Sequence, residues 1–205
     1  AVTSTAAELN LLAGVTGLAS SVNGLSDGLV EDNSMYIGND PSSTTSTAEY
    51  NLAVGTTALD AVTTGDKNTA IGYDALTTNT GGHSNIAIGY GALAANTTGA
   101  GNTVSGYQAM YSNTTGYSNT ASGYNALNSN TTGYFNTASG HASLQVNTTG
   151  HSNTASGYQA LKSNVTGDDN AAFGYLALSS NTNIQNNAFG SKALYANTSG
   201  DSNNA

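Results

Sequence analysis

The side chains that by type could do acid–base or metal chemistry are three histidines, His83, His141 and His151, and the adjacent acids Asp168 and Asp169. A ring of histidines around a symmetry axis could hold a metal ion. Hydrolysis of a glycosidic bond would need two carboxylates flanking it. The spacing argues against both. His83 and His151 stand where other copies of a repeated phrase carry Tyr117 and Tyr134, and His141 replaces a tyrosine in the column Tyr107, Tyr124, Tyr158. No Asp, Glu or Cys is expected beside these histidines, and they read as members of aromatic columns. Neighbouring residues on a strand face opposite sides, and Asp168-Asp169 falls at an expected turn. No catalytic group, metal site or cofactor is predicted, and the chain reads as a non-enzyme.

The positions of these residues depend on the phrase itself. "NTASGYQALKSNVTG", Asn153 to Gly167, nearly copies "NTASGYNALNSNTTG", Asn119 to Gly133. Asparagine opens each copy at 51, 68, 85, 102, 119, 136, 153 and 170, always 17 residues apart. Asn186 and Asn203 continue the series, with a single step of 16 residues between Asn170 and Asn186, where "NTNIQN" lacks the usual Thr-Gly. Glycine comes four places after each opening Asn from Gly55 to Gly190, a large aliphatic eight places after, and a second Asn eleven places after, from Asn79 on. Fixed self-similarity of this kind marks a repeat architecture.

Gly and Asn are poor helix formers, and no apolar stripe of 3.6-residue period is present. The unit fits one coil of a parallel β-solenoid (a β-roll or β-helix), read as short strand, turn, short strand, turn. Coils would stack at about 4.8 Å, giving a rod on the order of 43 Å from Asn51 to Asn203. Stacked asparagines would bond amide to amide between coils. The expected core ladder is Leu76, Leu93, Met110, Leu127, Leu144, Leu161, Leu178 and Leu194.

Composition supports this. The chain has 205 residues with 25 Gly, 1 Pro and no Cys, and charged residues make up 7%. A charge repeated in every coil would stack on itself and repel, and from Ala75 to Leu161 there is no Asp, Glu, Lys or Arg. The net charge of −9 with three Lys excludes a phosphate-neutralising surface, so nucleic acid is not an expected partner. No apolar run approaches the roughly 20 residues of a membrane span, and membrane insertion is not expected. With no initiator Met and no signal peptide, the sequence reads as part of a longer polypeptide.

The third place of the strand phrase is Ala or Val throughout. The fourth is Val54, Ile71 and Ile88, then serine at 105, 122, 139 and 156, then Phe173 and Phe189. Such a face, apolar at both ends, needs a neighbouring chain, which predicts an intertwined parallel homotrimer. Three regions are expected: 1–33, an N-terminal stalk or connector; 34–50, a lead-in strand and polar loop; and 51–205, the solenoid shaft. Within the first, Thr5 to Glu8 forms a capping-box pattern, and Leu18, Val22, Leu25 and Leu29 have coiled-coil spacing. Several glycines weaken a helix there, so a short trimeric coiled coil and an irregular interwound segment both stand. A turn is expected at Asp40-Pro41.

The phrases "TAAELNLLAGVT", "MYIGNDPSSTTSTAEYNLAVGTTALDAVTTGDKNTAIGYDAL" and "NTASGYQAL…SNTTG" resemble tail-fibre and other virion appendage proteins of bacteriophages. The "N-x-A-I-G" word is also similar to the head repeats of trimeric autotransporter adhesins, which are trimeric left-handed parallel β-rolls. The resemblance implies a noncatalytic structural shaft on a virion, outside the cell, joined to other virion proteins through its N-terminal region and contributing to attachment to host-surface polysaccharide. The rival class is a bacterial surface adhesin whose repeats bind glycan or matrix. An ice-binding β-solenoid built on the Thr pairs of the turns ranks third. If the shaft touches glycan, the candidate contacts are Tyr117, Tyr134, His151 and His83 at the turn edge, where side chains project; packing of these rings between coils or subunits is the alternative, and the favoured one. The column Tyr107, Tyr124, Tyr158 is assigned to packing.

Overall fold

The computed structural model describes residues 28–31, 33–38 and 46–205. Among them there is no helix, and all strands belong to one sheet in chain order. The strands are β1 (Gly28–Glu31), β2 (Ser34–Ile37), β3 (Leu52–Val54), β4 (Thr69–Ile71), β5 (Ile86–Ile88), β6 (Thr103–Ser105), β7 (Thr120–Ser122), β8 (Thr137–Ser139), β9 (Thr154–Ser156), β10 (Ala171–Phe173) and β11 (Asn187–Phe189). From β2 to β11 every pairing is parallel, each coil advancing the chain by one strand. The register follows the repeat, with Thr103 opposite Thr120, Val104 opposite Ala121 and Ser105 opposite Ser122. This is the expected β-solenoid.

Two local expectations change. Residues 28–31 pair antiparallel with β2, Gly28 opposite Ile37 and Glu31 opposite Ser34. Leu29 therefore lies in a strand and not in a coiled coil, and the sheet begins inside the region expected to be a stalk. Asn33 turns this hairpin at φ 58, a left-handed conformation that Asn tolerates. The rest of that region, residues 1–27 and 32, and the expected Asp40-Pro41 turn lie outside the described residues. The lead-in strand is present as β2.

The second change is that each coil holds one three-residue strand, not two. Where a second strand was expected, the chain alternates into the left-handed region. In one coil Gln108 has φ 49, Met110 φ 48 and Ser118 φ 54. The whole aliphatic column shares this conformation, from Leu59 at φ 53 through Leu93 at φ 54 to Leu194 at φ 49. A left-handed L-residue costs about 1–2 kcal/mol. Burying a leucine side chain returns about 1.5–3 kcal/mol, and the same residues donate to the next coil, as Met110 N–H does to the Ala126 carbonyl at 2.9 Å. Burial and inter-coil bonding outweigh the backbone cost.

The core is this ladder with alanines on either side. Leu76, Leu93, Met110, Leu127, Leu144, Leu161 and Leu178 are fully buried, as are Ala70, Ala87 and Val104 on the inner side of the strands. Leu194 departs from the expected ladder: it is only partly buried, packed against the edge of the core.

Two buried asparagine ladders hold the coils in register. In the first, the Asn102 side chain accepts the Asn119 backbone N–H at 3.0 Å, and Asn102 Nδ2 donates to the Gly116 carbonyl at 2.9 Å. In the second, Asn113 Nδ2 donates to Asn96 Oδ1 at 2.7 Å and to the same Gly116 carbonyl at 3.0 Å. Closing glycines such as Gly116 thus join the ladders, and only glycine fits there. A Cβ on Gly116 would stand 2.3 Å from Asn113 Oδ1 and 2.5 Å from the Gly133 oxygen.

The 16-residue step breaks the second ladder. Asn181 Nδ2 turns to Asn170 Oδ1 of the first ladder at 3.2 Å. Asn164 Oδ1, which Asn181 would otherwise meet, is buried without a partner. The Asn183 carbonyl takes the place of the missing glycine, accepting from Asn170 and Asn181 at 2.8 and 2.9 Å.

Candidate functional site

Three surface ladders are the candidates. At the turn edge, Tyr117 stacks on Tyr134 with centroids 4.9 Å apart, and Tyr134 on His151 at 4.7 Å. Phe135 meets the edges of both tyrosines. The structure therefore brings together three of the four residues expected there. His83 stands apart, with Ala100 in the intervening coil, and its Nδ1 lies 3.5 Å from Ser84 Oγ.

The expectation that no acid lies beside a histidine is overturned at His151. Asp168 Oδ2 is 3.3 Å from His151 Nε2, and Asp168 Oδ1 accepts the His151 backbone N–H at 2.8 Å. The signal was in the numbering, because Asp168 follows His151 by one repeat and shares its column. Other acids of this column behave alike: Asp66 accepts the Glu49 N–H at 2.9 Å, and Asp201 the Ile184 N–H at 3.3 Å. Their common part is to satisfy an amide of the preceding coil. Asp169 sits at the expected turn with φ 58. Among the described residues no group of three His, Cys, Asp or Glu is arranged to hold a metal ion. No helix among them is long and apolar enough to cross a membrane.

The second ladder is the column assigned to packing. It is longer than Tyr107, Tyr124 and Tyr158, and it lies on the surface. Tyr73, Tyr90, Tyr107, Tyr124, His141, Tyr158 and Tyr175 stack in an unbroken row, with centroids 5.0–5.4 Å apart and planes within 18°. The tyrosines are 43–50% exposed. Carbon atoms in contact lie about 3.5–4.0 Å apart, so rings at these centroid distances are offset, and each leaves part of a face and its outer edge in solvent. Desolvation within the row, reinforced by the neighbouring Tyr107 phenol, holds the Tyr90 hydroxyl above its ordinary pKa. The row was missed as a surface because a column of like aromatics reads equally as internal packing; only the direction of the turn decides.

The third ladder is the outer face of the sheet. Its ends are apolar, with Ile71, Ile86, Ile88, Phe173 and Phe189 all exposed. Phe173 and Phe189 stack at 5.0 Å. Between them, Thr103, Thr120, Thr137 and Thr154 run beside Ser105, Ser122, Ser139 and Ser156 on the exposed side of β6 to β9. None of these hydroxyls is hydrogen-bonded within the chain. The turn threonines are different: Thr97, Thr114 and Thr131 each donate to a carbonyl of the next coil at 3.0–3.1 Å. A regular array of free hydroxyls exists on the strands, not at the turn pairs where it was sought.

No family model, curated protein or solved structure matches this chain. The fold and these three ladders define a parallel β-solenoid with periodic, mostly uncharged surfaces.

Proposed function

We propose that this chain is the noncatalytic shaft of a phage tail fibre or related virion appendage, assembled as a parallel homotrimer and presenting or contributing to host attachment. One observation carries the reading. An unbroken parallel register runs from Met35 to Phe189, and its outer face leaves Ile71, Ile86, Ile88, Phe173 and Phe189 in solvent. A continuous hydrogen-bonded rod suits a spacer, and exposed apolar groups in two clusters suit partner chains. The resemblance of the phrases supplies the virion setting, with the N-terminal region as the joint to other fibre proteins and a host polysaccharide as contact. Sedimentation equilibrium of the full chain tests the trimer. Immunogold labelling with an antibody to residues 51–205 tests the setting: label on virus particles supports the fibre, and label on cell envelopes makes the chain an adhesin.

The free hydroxyl array on β6 to β9 favours a second reading, an ice-binding face. The two readings make opposite demands on one surface. A trimer with the sheet face at its contacts covers these hydroxyls, whereas ice binding requires them in water. Thermal hysteresis together with a monomer in sedimentation would replace the fibre reading.

A further inference from the structure

We infer that the aromatic row from Tyr73 to Tyr175 is a binding track for a linear, neutral, β-1,4-linked polysaccharide lying parallel to the solenoid axis. The inference deepens the shaft reading and rests on it only in needing this row to stay in solvent when chains assemble. The row stands on the turns, two residues after the last strand residue of each coil, Tyr73 after Ile71 and Tyr175 after Phe173.

The argument begins with the period. Six steps of 5.0–5.4 Å separate the seven rings, a row of about 29 Å at the spacing of hydrogen-bonded strands. An extended β-1,4-linked chain advances per pyranose by close to the same distance. Such a polymer would meet an equivalent ring at every sugar, whereas a polymer of another rise would drift out of step within a few coils. The offset stacking leaves each ring part of a face for sugar C–H groups and a phenol oxygen for hydroxyls. Half-buried amides border the row: Gln159 Nε2 donates to Tyr158 Oη at 3.2 Å, and Gln108 and Asn125 occupy the same place beside Tyr107 and Tyr124.

Charge selects the class of polymer. No Asp, Glu, Lys or Arg lies between Ala75 and Leu161, and the chain as a whole carries −9. An anionic polysaccharide gains no counter-charge along the row and is repelled by the rest. A neutral one loses nothing. Equivalent sites in series also predict a signature that a single pocket lacks: affinity grows with ligand length, because each further sugar binds intramolecularly.

The experiment is calorimetric titration of the full chain with cello- and chito-oligosaccharides of increasing length, beside pull-down on insoluble cellulose and chitin. The expected result is affinity rising by about tenfold or more from trisaccharide to hexasaccharide, levelling off once the ligand spans the seven rings. Tyr107→Ala with Tyr124→Ala should remove most of this gain while retaining a cooperative melt. Tyr124→Phe, which keeps the ring, should retain most of it. Length-independent affinity, undiminished binding by the folded Tyr107→Ala, Tyr124→Ala variant, or no binding of either sugar series would overturn the track. A trimer that binds no sugar removes the track and keeps the shaft; a monomer with length-dependent binding removes the trimer and keeps the track.

Discussion

Asn113 Nδ2 reaches Asn96 Oδ1 at 2.7 Å across 17 residues, and Asn113 Oδ1 in turn accepts from Asn130 Nδ2 at 2.9 Å. From Asn79 to Asn147 each asparagine of this ladder is therefore both donor and acceptor at full burial. Asn113→Ala would leave Asn96 Oδ1 and Asn130 Nδ2 short of a partner in the interior. Unmet buried groups cost about 1–3 kcal/mol each, so the variant should lose several kcal/mol in urea unfolding. Asn113→Asp should be worse at neutral pH, since a carboxylate cannot donate and faces Asn96 Oδ1, an acceptor. A loss confined to surface values, about 0.5 kcal/mol, would show the ladder to be ornamental.

Two glycines of one stretch should differ sharply. Gly116→Ala would set a Cβ 2.3 Å from Asn113 Oδ1, against backbone and a locked amide that cannot withdraw. It should prevent folding or cost more than about 3 kcal/mol, in the range of overpacking and lost buried bonds. Gly101, at φ +67, has nothing nearer than 3.6 Å. Its column elsewhere carries Ser84 and Ser118 at φ 58 and 54. Gly101→Ser should change stability by about 1 kcal/mol or less. Melting temperatures of the pair check both statements.

Along the core ladder, Leu127→Ala should cost about 2–5 kcal/mol, as for other buried leucines. Leu127→Asp should abolish the folded state near neutral pH, because Leu127 is fully buried among Leu, Met and Ala and offers a carboxylate no partner. Circular dichroism and limited proteolysis of the two variants distinguish a weakened rod from an unfolded chain.

The contrast between these sites and the N-terminus shows where the sequence was informative. Seventeen-residue spacing aligns any two like residues on the same column, so the register of Asn96, Asn113 and Asn130 followed from subtraction. The same subtraction joins His151 to Asp168, but their types differ, and a ladder of unlike residues does not announce itself. The left-handed backbone at Leu93 and Met110 was illegible because neither residue prefers it; stacking imposes it from outside the local sequence. The columns reach back to Ser34, one repeat before Asn51, and before Ser34 no repeated phrase marks them. The glycine-weakened Leu18 to Leu29 pattern therefore competed with a strand on local propensity alone, and at Leu29 pairing with β2 decided for the strand.

The tyrosine row should make the rod sensitive to alkali. The Tyr90 hydroxyl is held above its ordinary pKa, first by desolvation and then by Tyr107 and Tyr73. A raised pKa means the folded state keeps a proton that the unfolded state gives up at about pH 10. The stabilisation is therefore complete below pH 10 and declines as pH rises through the folded-state value. Melting temperature should be flat below about pH 10 and fall from there as pH rises through the folded-state value, with phenolate absorbance lagging behind that of the unfolded chain. Tyr90→Phe should reduce the fall; an identical alkaline profile for the variant would dissociate Tyr90 from it.

The defect between Asn170 and Asn186 should be repairable. Inserting one glycine between Asn183 and Ile184 converts "NTNIQN" to the spacing of "NTTGYSN" at Asn113 to Asn119. The restored coil lets Asn181 Nδ2 return from Asn170 Oδ1, now at 3.2 Å, to Asn164 Oδ1, which is buried without a partner. The new glycine carbonyl would replace that of Asn183 as the acceptor shared by Asn170 and Asn181. Satisfying one buried acceptor is worth about 1–3 kcal/mol, against a loop lengthened by one residue at a cost of a few tenths of a kcal/mol. The inserted chain should therefore melt higher than the parent, and amide exchange should slow from Asn170 to Asn186. A lower melting temperature would mean that the 16-residue coil is already the better-packed arrangement, and that the Asn181–Asn170 cross-link compensates for the open ladder.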